Sequence, residues 1–213
     1  GWTWVKPEEG MATIDMARAF AVFANGGYRV EPYFITRIED SQHRVIEQTG
    51  PVLLCHDPAD TVAVKNREAV GSPPCPPPSA EPAKPDPANP APRLARRVLS
   101  AENAFVVNSI LRDVVTGGTA TGAMALGRKD LAGKTGTTND HRDAWFNGFQ
   151  RDHVAIAWVG FDQPTPLGRG EVGGRAALPV WIDYMRVALE DVPEKLLPVP
   201  PGVTPQLVNL DTG

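Results

Sequence analysis

The 213-residue chain has no apolar run long enough to span a bilayer, so it carries no candidate membrane helix. Its start, Gly1-Trp2-Thr3-Trp4, lacks the basic segment and apolar stretch of a signal peptide. It has no excess of positive charge. With 21 Lys and Arg against 25 Asp and Glu, the net charge is −4, and nothing points to a nucleic-acid partner. Histidine and cysteine are sparse: His43, His56, His141 and His153 are scattered, and neither cysteine sits in a zinc spacing. No metal or other cofactor is therefore expected. Cys55 and Cys75 flank a proline-rich stretch. They form either a loop-closing disulfide, which needs an oxidising compartment, or two free thiols, and one pair does not decide between these. No internal repeat is visible.

What is present suits a soluble globular protein with a core: 42% hydrophobic and 22% charged residues. Thr13 to Asn25 reads as a helix, with Thr13 as N-cap, an apolar stripe of Ile14, Ala17, Phe20, Ala21 and Ala24, and Gly26-Gly27 as its stop. Tyr28 to Glu39 reads as extended and turns at Asp40-Ser41-Gln42 into Arg44 to Glu47, a hairpin. Ser72 to Arg93 holds Pro73, Pro74, Pro76, Pro77, Pro78, Pro82, Pro85, Pro87, Pro90 and Pro92. Proline has no amide donor and a fixed φ, so this stretch is expected to be an exposed insertion or linker with polyproline character.

A second helix is expected from Ser100 to Thr116, followed by a flexible loop at Gly117-Gly118-Thr119-Ala120-Thr121-Gly122. Leu131 to Thr138, Ala144 to Phe149 and Val154 to Phe161 read as strands, the last two joined by a turn at Arg151-Asp152. Both faces of the last strand are apolar, which predicts a central strand covered on both sides. A third helix is predicted over Ala176 to Leu189, with Pro179 tolerated near its start, and a short strand at Gln206 to Leu210.

The segment that asks for chemistry is Gly133-Lys134-Thr135-Gly136-Thr137-Thr138-Asn139. It contains G-K-T, but a phosphate-binding loop needs a glycine where Arg128 stands and a helix directly afterwards. Thr135-Gly136-Thr137-Thr138 is a poor helix start, so that reading fails. As a strand edge, the segment turns Thr135 and Thr137 to one face and Lys134 and Gly136 to the other. Two hydroxyls then suit a substrate carboxylate, Lys134 supplies positive potential, Gly136 admits a substrate backbone, and an edge amide suits half of an oxyanion hole. A plain core strand with a glycine bulge is the competing reading.

K-T-G is one element of the penicillin-recognising serine enzymes. The strings Ala132 to Asp140, Asp143 to Gly148, Met16 to Gly27, Gly117 to Ala120, Gly168 to Glu171 and Ala177 to Met185 resemble class A penicillin-binding proteins of the 1A type, from about Met11 onward and in the expected order. The resemblance implies an α/β fold, an antiparallel sheet flanked by helices, of which this chain holds an incomplete part. It implies a C-terminal part of a transpeptidase domain over residues 1–192, with the Pro-rich insertion 72–93, and a C-terminal tail over 193–213. It implies Lys134 and Thr137 as catalytic, with Thr135, Gly136, Thr137 and Asn139 binding substrate. The implied partners are peptidoglycan stem peptides ending in D-Ala-D-Ala, β-lactams, and the remaining N-terminal part of the same domain. The implied place is the periplasmic face of the inner membrane, held there by a single-pass anchor that this segment does not contain.

The chain also departs from the family pattern. The family's nucleophile is the serine of S-x-x-K, and every serine here fails: Ser41 and Ser109 have Arg at +3, Ser72 has Cys, Ser79 has Pro and Ser100 has Asn. S-x-N is missing too. In the family both motifs precede the Met16 helix, so the expectation is an inactive fragment whose nucleophile lies upstream. The alternative is a catalytically dead binding or scaffold module of cell-wall synthesis. A β-lactamase is disfavoured by the Pro-rich insertion and by the sequence around Asp143-Ala144-Trp145.

Overall fold

Apolar periodicity puts three helices and a three-stranded antiparallel sheet where the chemistry-bearing segment lies. The computed structural model describes residues 13–50, 52–54, 94–204, 206 and 208–209. The Pro-rich stretch Ser72 to Arg93, both cysteines and Gly1 to Gly10 lie outside the described residues. The chain divides into two units, Gly1–Gly27 with Leu99–Gly213, and Tyr28–Val98.

Among its described residues the smaller unit holds only strands. Strand β1 (Tyr28–Arg29) pairs antiparallel with β5 (Leu94–Arg97), and β4 (Leu53–Leu54) pairs parallel with β5. The expected hairpin is present as β2 (Arg37–Glu39) and β3 (Val45–Gln48). Asp40 closes its turn, with Oδ1 accepting the amides of Gln42 and Arg44 at 2.8 and 3.0 Å.

The larger unit holds the site. Helix α1 (Thr13–Ala24) and helix α2 (Ala101–Thr116) form where expected, with Thr13 lying within α1 rather than capping it, and Ser100 caps α2 by accepting the Asn103 amide at 3.2 Å. The sheet is β6 (Ala132–Thr137), β7 (Ala144–Gln150) and β8 (His153–Val159), in spatial order β6-β7-β8. Helix α3 (Leu178–Ala188) is entered through a wide π-helical turn at Gly173–Ala177 rather than directly at Ala176.

Strand alternation sorts the sheet residues onto two faces. On one face Phe146 and Ala157 pack with Trp181, Leu178 and Met185 of α3, and Trp181 meets Phe146 edge-on at 4.9 Å between ring centroids. On the other face Ala132 and Phe149 pack with Ala24, Phe20 and Phe23 of α1. Helix α2 contributes to both clusters, Val115 to the first and Leu111 to the second.

Three expectations are corrected. Strand β8 is not central: β7 is, and β8 has no further strand beside it among the described residues. Apolar residues on both faces report that the faces are covered, which says nothing about whether the edge is paired. Residues Gly117 to Gly122 are not a loose loop. Ala120 is fully buried, Ala123 of the following 3₁₀ turn (Thr121–Leu126) is too, and the Ala120 amide donates to Val114 O at 3.0 Å. Two alanines anchored in the core hold the segment that its glycines would otherwise free. At the C-terminal end, Gln206, Val208 and Asn209 are not in a strand; Leu207 and Leu210 lie outside the described residues.

Just before β6, Asp130 ties the chain after α3 to the sheet. Its side chain is 0% exposed, and Arg128, 13% exposed, donates Nε and Nη2 to its two oxygens at 2.9 and 2.8 Å. The Lys195 amide adds a bond at 2.9 Å, and Arg128 Nη1 reaches Val192 O at 2.7 Å. Burial opposes the Asp130 charge, but the Arg128 fork and the Lys195 amide outweigh it and hold the carboxyl below its usual value of 3.8. Because the folded value is the lower one, this stabilisation is complete above the unfolded value and is lost as pH falls through the folded one. Asp130→Ala should lower the stability of the chain at pH 7 by about 3–5 kcal/mol, since Arg128 stays buried without its anion. Denaturant melts at pH 7 and pH 3 check this: the gap between variant and unsubstituted chain should narrow at pH 3.

Candidate active site

Among the described residues strand β6 is an edge strand, paired on one side only, with Lys134 opposite Asn147, Thr135 opposite Phe146 and Thr137 opposite Ala144. Lys134 and Thr137 are exposed, while Thr135 and Gly136 are half-buried. The two threonines share the sheet face of Phe146, as strand alternation requires, and Lys134 lies on the opposite one. Lys134 Nζ folds back over the strand and donates to Thr135 O at 2.9 Å and to Thr135 Oγ1 at 3.5 Å.

Each hydroxyl meets another segment. Thr135 Oγ1 lies 2.7 Å from Thr119 Oγ1, so the Gly117 to Gly122 segment stands beside the motif. Thr137 Oγ1 accepts the Gly173 amide at 3.1 Å. The Gly173 contact is tight: a Cβ there would collide with Trp145 O and lie 2.5 Å from Gly136 O. A Cβ on Gly174 would lie 2.7 Å from Thr119 O. Two stretches distant in sequence therefore converge on Thr135, Gly136 and Thr137 of β6.

Asn139, the remaining predicted residue, is exposed at the start of the turn Asn139–His141 that follows β6. That turn carries positive φ at Asp140 (60°) and His141 (53°). It is closed by Asp143, whose amide donates to Thr138 Oγ1 at 2.8 Å while its carboxylate accepts Thr138 Oγ1–H at 3.1 Å and Trp158 Nε1–H at 3.0 Å. The structure thus brings Lys134, Thr135, Gly136 and Thr137 together on one strand and sets Asn139 at its exit.

Sequence reasoning did not single out Thr119, Gly173, Gly174 or Asp143 as parts of the site. The Gly173-Gly174 pair ahead of a helix was the available signal, but its partner is 36 positions away. A cavity of about 240 Å³ lies elsewhere, at the opposite edge of the sheet between β8 and α3, lined by Ile156, Trp158, Val180 and Tyr184 among others.

An antiparallel sheet between helices, with an exposed Lys-Thr-Gly-Thr edge strand, is the arrangement of the penicillin-recognising transpeptidases. The chain belongs to that family: it matches the family described as "Penicillin binding protein transpeptidase domain" over residues 10–181. Its curated relatives include penicillin-binding protein 1A of Pseudomonas aeruginosa, 43% identical over 96% of this chain and 26% of that protein. Penicillin-binding protein 1A of Neisseria lactamica is 42% identical over 89% of this chain and 19% of that one. A crystal structure of penicillin-binding protein 1A from Haemophilus influenzae superposes with a TM-score of 0.70 at 35% identity, covering 90% of this chain and 28% of that chain. The chain thus spans between about a fifth and just over a quarter of the length of these relatives and holds a partial transpeptidase fold.

Gly173→Ala should push the turn off Gly136 and weaken the Gly173–Thr137 hydrogen bond, lowering stability by about 1–3 kcal/mol as overpacking does. Thermal melts of the chain check this, and amide exchange at Gly136 and Thr137 should rise with the variant.

Proposed function

We propose that this chain is part of a peptidoglycan D,D-transpeptidase. The reaction is acyl transfer: a serine attacks the D-Ala-D-Ala peptide of a stem, D-Ala leaves, and an amine on another stem takes the acyl group. β-Lactams acylate the same serine. The observation that carries the reading is the exposed edge strand β6 with Lys134, Thr135 and Thr137, in a chain whose relatives are named penicillin-binding proteins.

Within that reading each residue has a role that follows from its contacts. Thr137 Oγ1 accepts the Gly173 amide, so its own proton remains available to a substrate carboxylate. Thr135 contributes a second hydroxyl. The Thr137 amide is one oxyanion donor. Lys134 sets the positive potential, and Gly136 keeps the edge clear for a substrate backbone. Asn139 lines the exit of the strand. The carbonyl carbon under attack then sits between an edge amide and a serine supplied by the rest of the domain.

That remainder, the N-terminal part of the same domain, is the partner that completes the site. The open edge of β8, with Trp158 39% exposed, and the uncovered Val180, Tyr184 and Val187 of α3 form apolar surface suited to receive it. Among the described residues no helix is long and apolar enough to cross a membrane. The reading places the working protein at the periplasmic face of the inner membrane, where peptidoglycan is assembled.

Two outcomes follow. The 213-residue chain by itself, with no serine followed at +3 by lysine, should form no covalent adduct with penicillin. Intact mass spectrometry checks this, and a stoichiometric mass increase removable with hydroxylamine would contradict it. In the full-length protein, Thr137→Val should slow acylation by a carboxylate-bearing β-lactam by roughly 1–3 kcal/mol in activation free energy, while Thr137→Ser should retain the rate. Acylation kinetics measure both, and an unchanged Thr137→Val rate would remove Thr137 from the site.

A further inference from the structure

The two hydroxyls of β6 are held differently. Thr137 Oγ1 accepts an amide proton, which has only one direction. Thr135 Oγ1 faces another hydroxyl, Thr119 Oγ1, at 2.7 Å, and either oxygen can be the donor. A threonine hydroxyl has one proton and two acceptor lone pairs. Lys134 Nζ, 3.5 Å away, can only donate to Thr135 Oγ1, which engages one lone pair. If Thr119 donates as well, both lone pairs are engaged, and the Thr135 proton must point outward. If Thr119 accepts instead, that proton is used inside the protein and cannot reach an anion.

An anion at the outer end decides between the two. A carboxylate accepts only, so it draws the Thr135 proton towards itself, and Thr119 then turns to donate behind it. Hydrogen bonds in such a row polarise one another, and a bond to an ionised acceptor is stronger than a neutral one. Thr119 is also held in place. Its neighbour Ala120 is fully buried with its amide on Val114 O at 3.0 Å. On the other side Gly174 approaches so closely that a Cβ there would lie 2.7 Å from Thr119 O. Thr135 is half-buried, so its hydroxyl stays within reach of a ligand.

We infer that Thr119 is a positioning residue of the carboxylate site: its hydroxyl donates to Thr135 Oγ1 and so directs the Thr135 proton to the carboxylate of the bound peptide or β-lactam. This rests on the reading of β6 as the acyl-transfer strand. Thr119 does not touch the ligand; it acts through Thr135.

The test uses the full-length protein and the acylation rate constant for benzylpenicillin and for its methyl ester, which lacks the anion. Thr119→Val should slow benzylpenicillin roughly three- to tenfold, the range expected when the net contribution of one hydrogen bond is lost. Thr119→Ser should restore the rate, and the ester should react equally slowly with Thr119→Val and the unsubstituted protein. Equal slowing of both compounds by Thr119→Val would mark a general structural role and overturn the inference. So would an unchanged benzylpenicillin rate in Thr119→Val while Thr135→Val is slow, which would leave the site reading standing. No acylation of the unsubstituted full-length protein would remove the site reading itself, and the role of Thr119 with it.

Discussion

Gly173 lies so close to the backbone of Gly136 and Trp145 that the contact has room for a hydrogen atom and nothing larger. The layout of the site follows from that approach. It delivers the Gly173 amide to Thr137 Oγ1, and it brings Gly174 against Thr119 O, whose hydroxyl meets Thr135. The approach is sustained by the residues that follow. Ala177, Leu178 and Trp181 are buried in the core on the sheet face that carries Phe146. Packing of α3 on the sheet therefore reaches the two threonines through one turn of backbone, and interiors packed at crystal density transmit such displacements.

An edge strand has only one neighbour, and β6 is steadied by polar clamps at both ends. Before it, the buried Asp130 carboxylate gathers the Arg128 fork and the Lys195 amide. After it, Asp143 closes the Asn139–His141 turn through Thr138 and reaches Trp158 on β8. Both clamps use charge-assisted hydrogen bonds, which are directional as well as strong. They hold the strand in register while leaving its outer edge open. An open edge is a hazard for a free protein, but it is what a strand needs if a peptide is to lie along it.

Much of the site was legible because its information is local. Strand alternation sends Thr135 and Thr137 to one face whatever surrounds them. The Gly26-Gly27 stop, the Ser100 cap and the Asp40 turn are likewise decided within a few residues, and each appears where its chemistry predicts. The segment from Gly117 to Gly122 was misread for the complementary reason. Glycine content describes what a backbone is free to do, and the burial of Ala120 and Ala123 removes that freedom.

By itself, then, the sequence determined the helices, the three strands of the sheet, the face on which each motif residue stands, and the missing serine-lysine pair. Only the tertiary structure decided that β8 is an edge among the described residues, that Asp130 is buried, and that Thr119 and Gly173 flank the motif. The division has one physical cause. Dihedral preferences and side-chain periodicity act over a few bonds and can be read along the chain. Which surfaces meet depends on packing between segments 16 and 36 positions apart, and no local preference encodes that.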